Sequence, residues 1–99
     1  METLINRNTV SDILFPVFQK HGINKAVLFG SVAKGTNNIN SDIDIVVDSH
    51  LKGLKFIGLL EDVKQAINMD VDLFDISHIE KGSLVEEEIK RTGVLIYEK

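Results

Sequence analysis

The feature that most constrains the fold is the segment Ser41-Asp42-Ile43-Asp44-Ile45-Val46-Val47, in which acidic and apolar residues alternate before an apolar end. A β-strand sends successive side chains to opposite faces, so Asp42 and Asp44 are predicted to share one face. Aspartate is disfavoured within strands, and a strand that accepts two has a local reason for them. The segment is therefore predicted to be a strand with one buried face and one acidic face.

Two neighbouring carboxylates suggest a particular kind of site. They repel each other and raise each other's pKa unless a cation lies between them. Mg²⁺ prefers oxygen ligands and leaves part of its coordination shell to substrate phosphates. In isolation, such a pair on a strand is more often simply solvated, but the strand context here favours a metal site formed by Asp42 and Asp44.

A second motif lies upstream of the carboxylates. Lys25 to Phe29 is a short apolar run predicted to be a central strand covered on both faces. Gly30-Ser31 follows, with Ser31 predicted to cap a short helix from Val32 to Lys34. Such a turn offers backbone N–H groups and a hydroxyl to a phosphate. Together with the carboxylates, it indicates phosphoryl or nucleotidyl transfer.

A third carboxylate is expected from the segment Val71 to Ile76, which again has strand character. Asp72 would project onto one face of this strand. Asp70 shares its parity and Asp75 has the opposite parity, so the residue pattern alone does not choose among the three.

The ordered combination of Gly30-Ser31, Gly35, Ser41-Asp42-Ile43-Asp44 and Val71-Asp72-Leu73 resembles the minimal nucleotidyltransferases, a branch of the polymerase-beta-like superfamily. The resemblance implies ATP as the donor and two Mg²⁺ ions, roughly 3.5–4 Å apart, as cofactors. It selects Asp72 as the third carboxylate. The implied metal-binding and catalytic residues are Asp42, Asp44 and Asp72, and the implied nucleotide-binding residues are Gly30, Ser31, Lys34 and Ser41.

The resemblance also implies a role for the carboxylate of Asp72, which would receive the proton of the acceptor. This chain departs from the family pattern near the phosphates, where the family often has an arginine near Lys34 and a large residue in place of Val32.

Proteins similar to this one are commonly paired with a small helical HEPN-type toxin and act as antitoxins that transfer AMP to its tyrosine. The resemblance therefore implies a protein hydroxyl as acceptor. An alternative is a binding module that neutralises its partner by occlusion, with a vestigial nucleotide site. Transfer to RNA or to a small molecule such as an aminoglycoside is a third alternative. The base preference and the number of subunits, including a homo-oligomer, stay open.

Composition limits the alternatives. A chain of 99 residues with 43% apolar content fits a single domain spanning residues 1–99. The net charge of −4 and the pI near 5.2 argue against a nucleic-acid-binding face. The chain has no cysteine, so disulfides and thiolate metal sites are excluded. We find no signal-peptide pattern and no apolar run of membrane-spanning length, and so expect a cytoplasmic protein without membrane contact.

The remaining segments predict an α/β (α+β) fold, with helices packed on a small mixed sheet of about four strands. Apolar periodicity predicts a helix from Thr9 to His21, capped by Thr9 or Asn8 and stopped at Gly22. Pro16 predicts a kink, or two helical pieces, near Asp12. The turn-forming segment 36–40 is predicted to be a mobile loop beside the site.

The second half of the chain continues this pattern. A helix from Leu54 to Asn68 is predicted between two strands, which implies a βαβ-like crossover. Its predicted buried stripe consists of Ile57, Leu60, Val63 and Ile67. Ser77 with Glu80 and Ser83 with Glu86 match capping boxes, which predict a short helix and a longer one from Leu84 to Thr92. A final strand from Val94 to Tyr97 is predicted at an edge of the sheet.

Overall fold

The computed structural model describes residues 5–38 and 41–99. The elements in chain order are α1 (Arg7–His21), β1 (Lys25–Phe29), α2 (Gly30–Lys34), β2 (Ile43–Asp48), α3 (Leu54–Ile67), β3 (Val71–Asp75), a 3₁₀ turn (Ile76–His78), α4 (Leu84–Thr92) and β4 (Val94–Glu98). The strands form a mixed sheet in the order β3-β2-β1-β4. β1 runs antiparallel to β2 and β4, whereas β2 and β3 are parallel. These findings confirm the predicted fold class, the inner position of β1 and the crossover through α3.

The sheet separates an apolar core from the face that carries the acidic residues. Ile43, Ile45 and Val47 of β2 are almost fully buried with apolar residues of α1 and α3. The core residues from these two helices are Val10, Leu14, Phe18, Leu59, Val63 and Ile67. Because β2 alternates its side chains, Asp44 and Asp48 lie on the opposite face. α2 and α4 pack against each other and against β1.

Helix α1 is one continuous helix from Arg7 to His21, with Pro16 inside it, so the predicted division into two pieces is wrong. Pro16 is exposed, as is Asp12, whose carbonyl the proline leaves without a helical partner. Water can therefore satisfy that carbonyl. The predicted N-cap is also wrong, because Asn6 caps the helix by accepting the N–H of Thr9 at 3.0 Å. The predicted stop at Gly22 is confirmed, with φ at +65°.

Helix α3 lies within the predicted range but is rotated relative to the predicted stripe. Leu59, Val63 and Ile67 are its buried residues, whereas Ile57 is 51% exposed. Leu60 is only partly buried. The predicted stripe was therefore correct at Val63 and Ile67 and wrong at Ile57, because Leu59 and not Ile57 faces the core.

The final third of the chain confirms one predicted capping box only in part. The hydroxyl of Ser83 accepts the N–H of Glu86 and caps α4, but the Glu86 carboxylate accepts the N–H of Gly82 rather than that of Ser83. The predicted box of Ser77 with Glu80 is wrong, because Asp75 caps the 3₁₀ turn. β4 is an edge strand, as predicted. Within the described residues, the helices are too short or too polar to cross a membrane.

Candidate active site

Asp44 and Asp72 are brought together by the register of the sheet. β2 and β3 pair in parallel with Asp44 directly beside Asp72, and Phe29 of β1 lies opposite Asp44 on the other side. The crossover through α3 thus places two carboxylates that are distant in sequence on one face of adjacent strands. The register therefore makes Asp44 and Asp72 direct neighbours in the sheet.

The structure separates Asp72 from the two other aspartates that the residue pattern left open. Asp70 precedes β3, is exposed, and accepts the N–H of Ile43 through its backbone carbonyl. Asp75 is 6% exposed and lies at the far end of β3. Asp72 alone among the three is the neighbour of Asp44 in the sheet.

Asp75 has a structural role. Its carboxylate accepts hydrogen bonds from the backbone N–H and the hydroxyl of both Ser49 and Ser77. Burial acts to raise the pKa of Asp75, but these hydrogen bonds outweigh burial and hold the pKa below its ordinary value. Asp75 therefore fastens the chain that follows β2 to the turn that follows β3.

Asp42 lies immediately before β2, which begins at Ile43 rather than at Asp42 as predicted, and its side chain is exposed. Across residues 5–38 and 41–99, no three Asp, Glu or His side chains stand in metal-ligating geometry. A metal site formed by Asp42, Asp44 and Asp72 therefore stays a prediction, although the charge of Asp42 acts on Asp44.

Asp44 is the carboxylate of the site whose pKa is raised. The pKa of Asp44 is raised to about 6 by several causes together, of which burial is the largest. The negative charge of Asp72, the hydrogen bond to Asp72 and the negative charges of Asp42 and Glu88 act in the same direction. A cation placed among these carboxylates would relieve their repulsion, because positive charge favours their ionised forms. The donor set is thus chemically suited to a hard divalent cation.

Gly30 is required by its close approach to Asp44. Its φ is +79°, a conformation that side-chain-bearing residues rarely adopt, and a β-carbon there would lie 2.5 Å from Oδ2 of Asp44. The absence of a side chain at residue 30 therefore lets the Asp44 carboxylate lie over the junction between β1 and α2.

The junction between β1 and α2 differs from the prediction in two ways. The helix begins at Gly30, so Ser31 lies in its first turn and is not the N-cap. The N–H of Gly30 was predicted to be free for a phosphate, but it donates to the hydroxyl of Thr92 at 2.8 Å. In the described part of the chain, the Ser31 hydroxyl has no hydrogen-bond partner. Lys34, at the end of α2, is exposed.

Ser41, directly before Asp42, is hydrogen-bonded to Asn38. Its hydroxyl accepts the N–H of Asn38 at 3.0 Å, and its own N–H donates to the carbonyl of Asn38 at 3.1 Å. Thr36 to Asn38 have no helical or strand structure, whereas Ile39 and Asn40 of the predicted loop lie outside the described residues.

Sequence reasoning missed Thr92 and Glu88 of α4. Thr92 is 8% exposed, and its hydroxyl both accepts the Gly30 N–H and donates to the carbonyl of Glu88 at 2.8 Å. A threonine at the end of a helix carries no signal that points to a glycine 62 residues away. Only the packing of α4 against α2 and β1 shows this relationship.

A groove opens on the same face of the sheet, further along β2. It has a volume of about 370 Å³, and its lining includes Val27, Val46, Ile79 and Ile89. Val46 follows Asp44 by two residues on the same face, a step of roughly 6.6 Å along a strand. The carboxylates therefore adjoin an open, largely apolar surface.

Comparison with known proteins gives concordant matches. A family model described as "Polymerase beta, Nucleotidyltransferase" matches residues 13–99. A Methanocaldococcus jannaschii protein, by name a protein adenylyltransferase, is 29% identical over 77 residues, which make up 76% of this chain and 83% of that protein.

Solved structures with the same fold include two toxin–antitoxin complexes. A chain from a toxin–antitoxin with AMP-PNP superposes with a TM-score of 0.75 at 24% identity, over 90% of this chain and 73% of that chain. A chain from the tri-AMPylated Shewanella oneidensis HEPN toxin in complex with an MNT antitoxin superposes with a TM-score of 0.70 at 18% identity, over 94% of this chain and 73% of that chain.

Proposed function

Because this chain belongs to the polymerase beta nucleotidyltransferase family, we propose that it transfers AMP from ATP to a hydroxyl of a partner protein. The partner is a HEPN-type toxin, and this chain is its antitoxin. Three similarities support the proposal: a relative named as a protein adenylyltransferase, a toxin–antitoxin structure with AMP-PNP, and a complex whose HEPN toxin is AMPylated. Since ATP is the donor, the cytoplasm is the compartment of the reaction.

The observation that carries the proposal is the pairing of Asp44 with Asp72 beside Gly30. Two carboxylates on adjacent strands, one of them in close approach to Gly30, are costly for a sheet unless they serve a ligand. The raised pKa of Asp44 reflects the free-energy cost of holding an ionised carboxylate at this place.

The residues present fit Mg²⁺. Asp42, Asp44 and Asp72 would hold it, with two ions proposed, and their carboxylate oxygens are the ligands that hard divalent cations prefer. When bound, Mg²⁺ supplies positive charge that neutralises the triphosphate and the charge that develops on the transferred phosphoryl group.

The proposed reaction is an in-line displacement at the α-phosphorus of ATP. The acceptor hydroxyl oxygen forms a bond to this phosphorus, the bond to the β-phosphate oxygen breaks, and pyrophosphate leaves. Asp72 receives the proton of the hydroxyl. Its exposure on an edge strand makes it accessible to an acceptor that approaches from outside.

The departing phosphates lie on the α2 side of the site in this proposal. Ser31 donates from its hydroxyl, Lys34 contributes positive charge, and Gly30 permits close approach of the backbone. Ser41, directly before Asp42, is held by its hydrogen bonds with Asn38. Since the hydroxyl of Thr92 occupies the Gly30 N–H, the Ser31 hydroxyl is the stronger candidate for phosphate binding.

A protein acceptor suits this chain better than a nucleic acid. The net charge is −4, and the candidate site adds Asp42, Asp44, Asp72 and Glu88 to one region. Phosphate-backbone binding requires clustered lysine and arginine. The open surface beside the carboxylates leaves room for a partner to complete the acceptor site.

The test incubates the purified protein with Mg²⁺ and α-labelled ATP, with and without a HEPN-type protein encoded beside it. We expect label on the partner and its loss in Asp42→Asn and Asp44→Asn. Asp70→Asn is the matched control, because Asp70 is an exposed aspartate next to β3 with only its backbone engaged. Undiminished transfer by Asp42→Asn would refute the assignment of that carboxylate.

Neutralisation of the partner is measured in parallel, to separate catalysis from occlusion. If the Asp42→Asn, Asp44→Asn double variant still neutralises the toxin and binds it tightly without label, the protein acts by occlusion. If neutralisation is lost while the complex persists, transfer is the working mechanism.

A further inference from the structure

We propose that Thr92 is a positioning residue for the reaction centre, which it serves by holding Gly30 beneath Asp44. The inference rests on the proposed function for its catalytic consequence, but the contact itself lies in the fold. Thr92 touches neither of the paired carboxylates, and it is the last residue of α4, an element to which the site motifs do not extend.

The Thr92 hydroxyl both accepts and donates a hydrogen bond. Its oxygen accepts the N–H of Gly30 at 2.8 Å, and its single proton is donated to the carbonyl of Glu88, also at 2.8 Å. The second bond is the backward bond to the preceding turn that threonine makes within helices. This bond fixes the rotation of the hydroxyl group, so that a lone pair of its oxygen points toward the N–H of Gly30.

The bond restrains the residue on which the Asp44 carboxylate depends. Gly30 has a φ of +79° and no side chain to hold it by packing, and residue 30 is where a β-carbon would strike Oδ2 of Asp44. Glycine has more conformational freedom than any other residue, so this backbone needs an external restraint. The hydroxyl of Thr92 supplies this restraint through a hydrogen bond to the Gly30 N–H. Because the bond is buried, water competes with it little.

Positioning of this kind affects turnover more than substrate binding. A displaced Gly30 would shift the Asp44 carboxylate and the start of α2 relative to each other. Misplacement of reacting groups by about 1 Å lowers rates by roughly a hundredfold. The affinity for ATP, which depends on several further contacts, should change much less.

The experiment compares Thr92→Val, Thr92→Ser and Ser83→Ala. Valine has the shape of threonine without the hydroxyl, whereas serine keeps the hydroxyl. Ser83→Ala is the control for α4 stability, because it removes the cap at the other end of the same helix and leaves the bond to Gly30 intact. For each protein, kcat and KM for ATP are measured together with the hydrogen exchange of the Gly30 amide.

We expect Thr92→Val to lose about tenfold to a hundredfold in kcat with KM for ATP changed less than threefold. The Gly30 amide should exchange at least tenfold faster, while the amides within β1 keep their protection. Thr92→Ser should restore both quantities to near the wild-type values. Ser83→Ala should lower the melting temperature without changing kcat or the Gly30 amide.

Three results would overturn the inference: wild-type kcat in Thr92→Val, an equal loss of kcat in Ser83→Ala, or unchanged exchange of the Gly30 amide in Thr92→Val. If the wild-type protein transfers no nucleotide, the proposed function fails separately. The exchange measurement then still decides whether Thr92 holds Gly30.

Discussion

Gly30 lies so close to Asp44 that a β-carbon on residue 30 would stand 2.5 Å from Oδ2 of that carboxylate. Gly30→Ala is therefore expected to move the carboxylate and to place alanine at a positive φ. The free energy of unfolding should fall by about 1–2 kcal/mol from the backbone conformation alone. Nucleotide transfer should fall by roughly a hundredfold, measured with labelled ATP.

Gly58→Ala is the control for this substitution. Gly58 lies inside α3, and a β-carbon there would meet nothing within 4 Å. This variant should be more stable by about 0.5–1 kcal/mol and fully active. Full transfer by Gly30→Ala would mean that the approach of Gly30 to Asp44 is irrelevant to the reaction.

Asp44→Asn is expected to stabilise the protein near neutral pH when no divalent cation is present. The unfolded chain loses the Asp44 proton near its ordinary pKa of 3.8, whereas the folded chain loses it near a pKa of about 6. The folded state binds more protons between these values, so the contribution of Asp44 to stability falls as the pH rises through this window. Asparagine does not titrate and escapes that loss.

The expected gain at neutral pH is about 1–2 kcal/mol, discounted because Asp44 is partly exposed. Urea unfolding in EDTA measures it. The advantage of Asp44→Asn in free energy of unfolding should shrink as the pH falls. Below pH 3.8 it should be smaller than at neutral pH by a similar amount, about 1–2 kcal/mol. A less stable Asp44→Asn protein at neutral pH would contradict the raised pKa.

Asp72 and Asp75 should respond in opposite ways to substitution. Asp72→Asn is expected to abolish transfer with a change in stability below about 0.5 kcal/mol, because Asp72 is exposed. Asp75→Asn is expected to cost about 2–4 kcal/mol, because the buried Asp75 carboxylate accepts charge-assisted hydrogen bonds from Ser49 and Ser77. Urea unfolding and transfer assays on the folded proteins separate the two.

The pH dependence of the Asp75 contribution also has a defined sign. Because the folded-state pKa of Asp75 is lowered, its stabilisation is present above the ordinary pKa of 3.8 and is lost as the pH falls through the lower folded value. The stability difference between wild type and Asp75→Asn should therefore shrink in acid. A constant difference across this range would show that the hydrogen bonds do not depend on the charge.

Mg²⁺ and a non-hydrolysable ATP analogue together should raise the melting temperature more than either does alone. A ligand that binds only the folded state stabilises it by about 2.7 kcal/mol at a hundredfold excess over its Kd. Asp42→Asn should remove the increase, and Asp70→Asn should retain it. An equal shift in Asp42→Asn would show that Asp42 takes no part in metal or nucleotide binding.

Much of the fold could be predicted from local pattern. The limits of β1 follow from a short apolar run between glycines, and α4 follows from the cap at Ser83 and the stop at Gly93. The caps at Asn6 and Asp75 were missed because several polar residues near each helix start can accept the same backbone N–H groups. The choice among them depends on how the preceding chain enters the helix, which local pattern does not determine.

The residue pattern alone predicted the candidate site only segment by segment, and the choice of Asp72 as third carboxylate came from the family resemblance. The alternation around Asp44 fixed its face, but its neighbour Asp72 follows from the parallel register of β2 and β3. The role of Thr92 arises from the docking of α4 across the β1–α2 junction. Such long-range relationships have no periodic signal in the sequence, because they depend on which elements pack together.

The parallel register of β2 and β3 has a consequence for how such a chain can change in length. Residues added on the surface at either end of α3, near Gly53 or Asn68, lengthen only the connection between the strands. One residue lost between the start of β3 and Asp72 would instead bring Leu73 beside Asp44. Insertions and deletions in the crossover should therefore be tolerated. Within the first two residues of β3 they should abolish nucleotide transfer, because they separate Asp72 from Asp44.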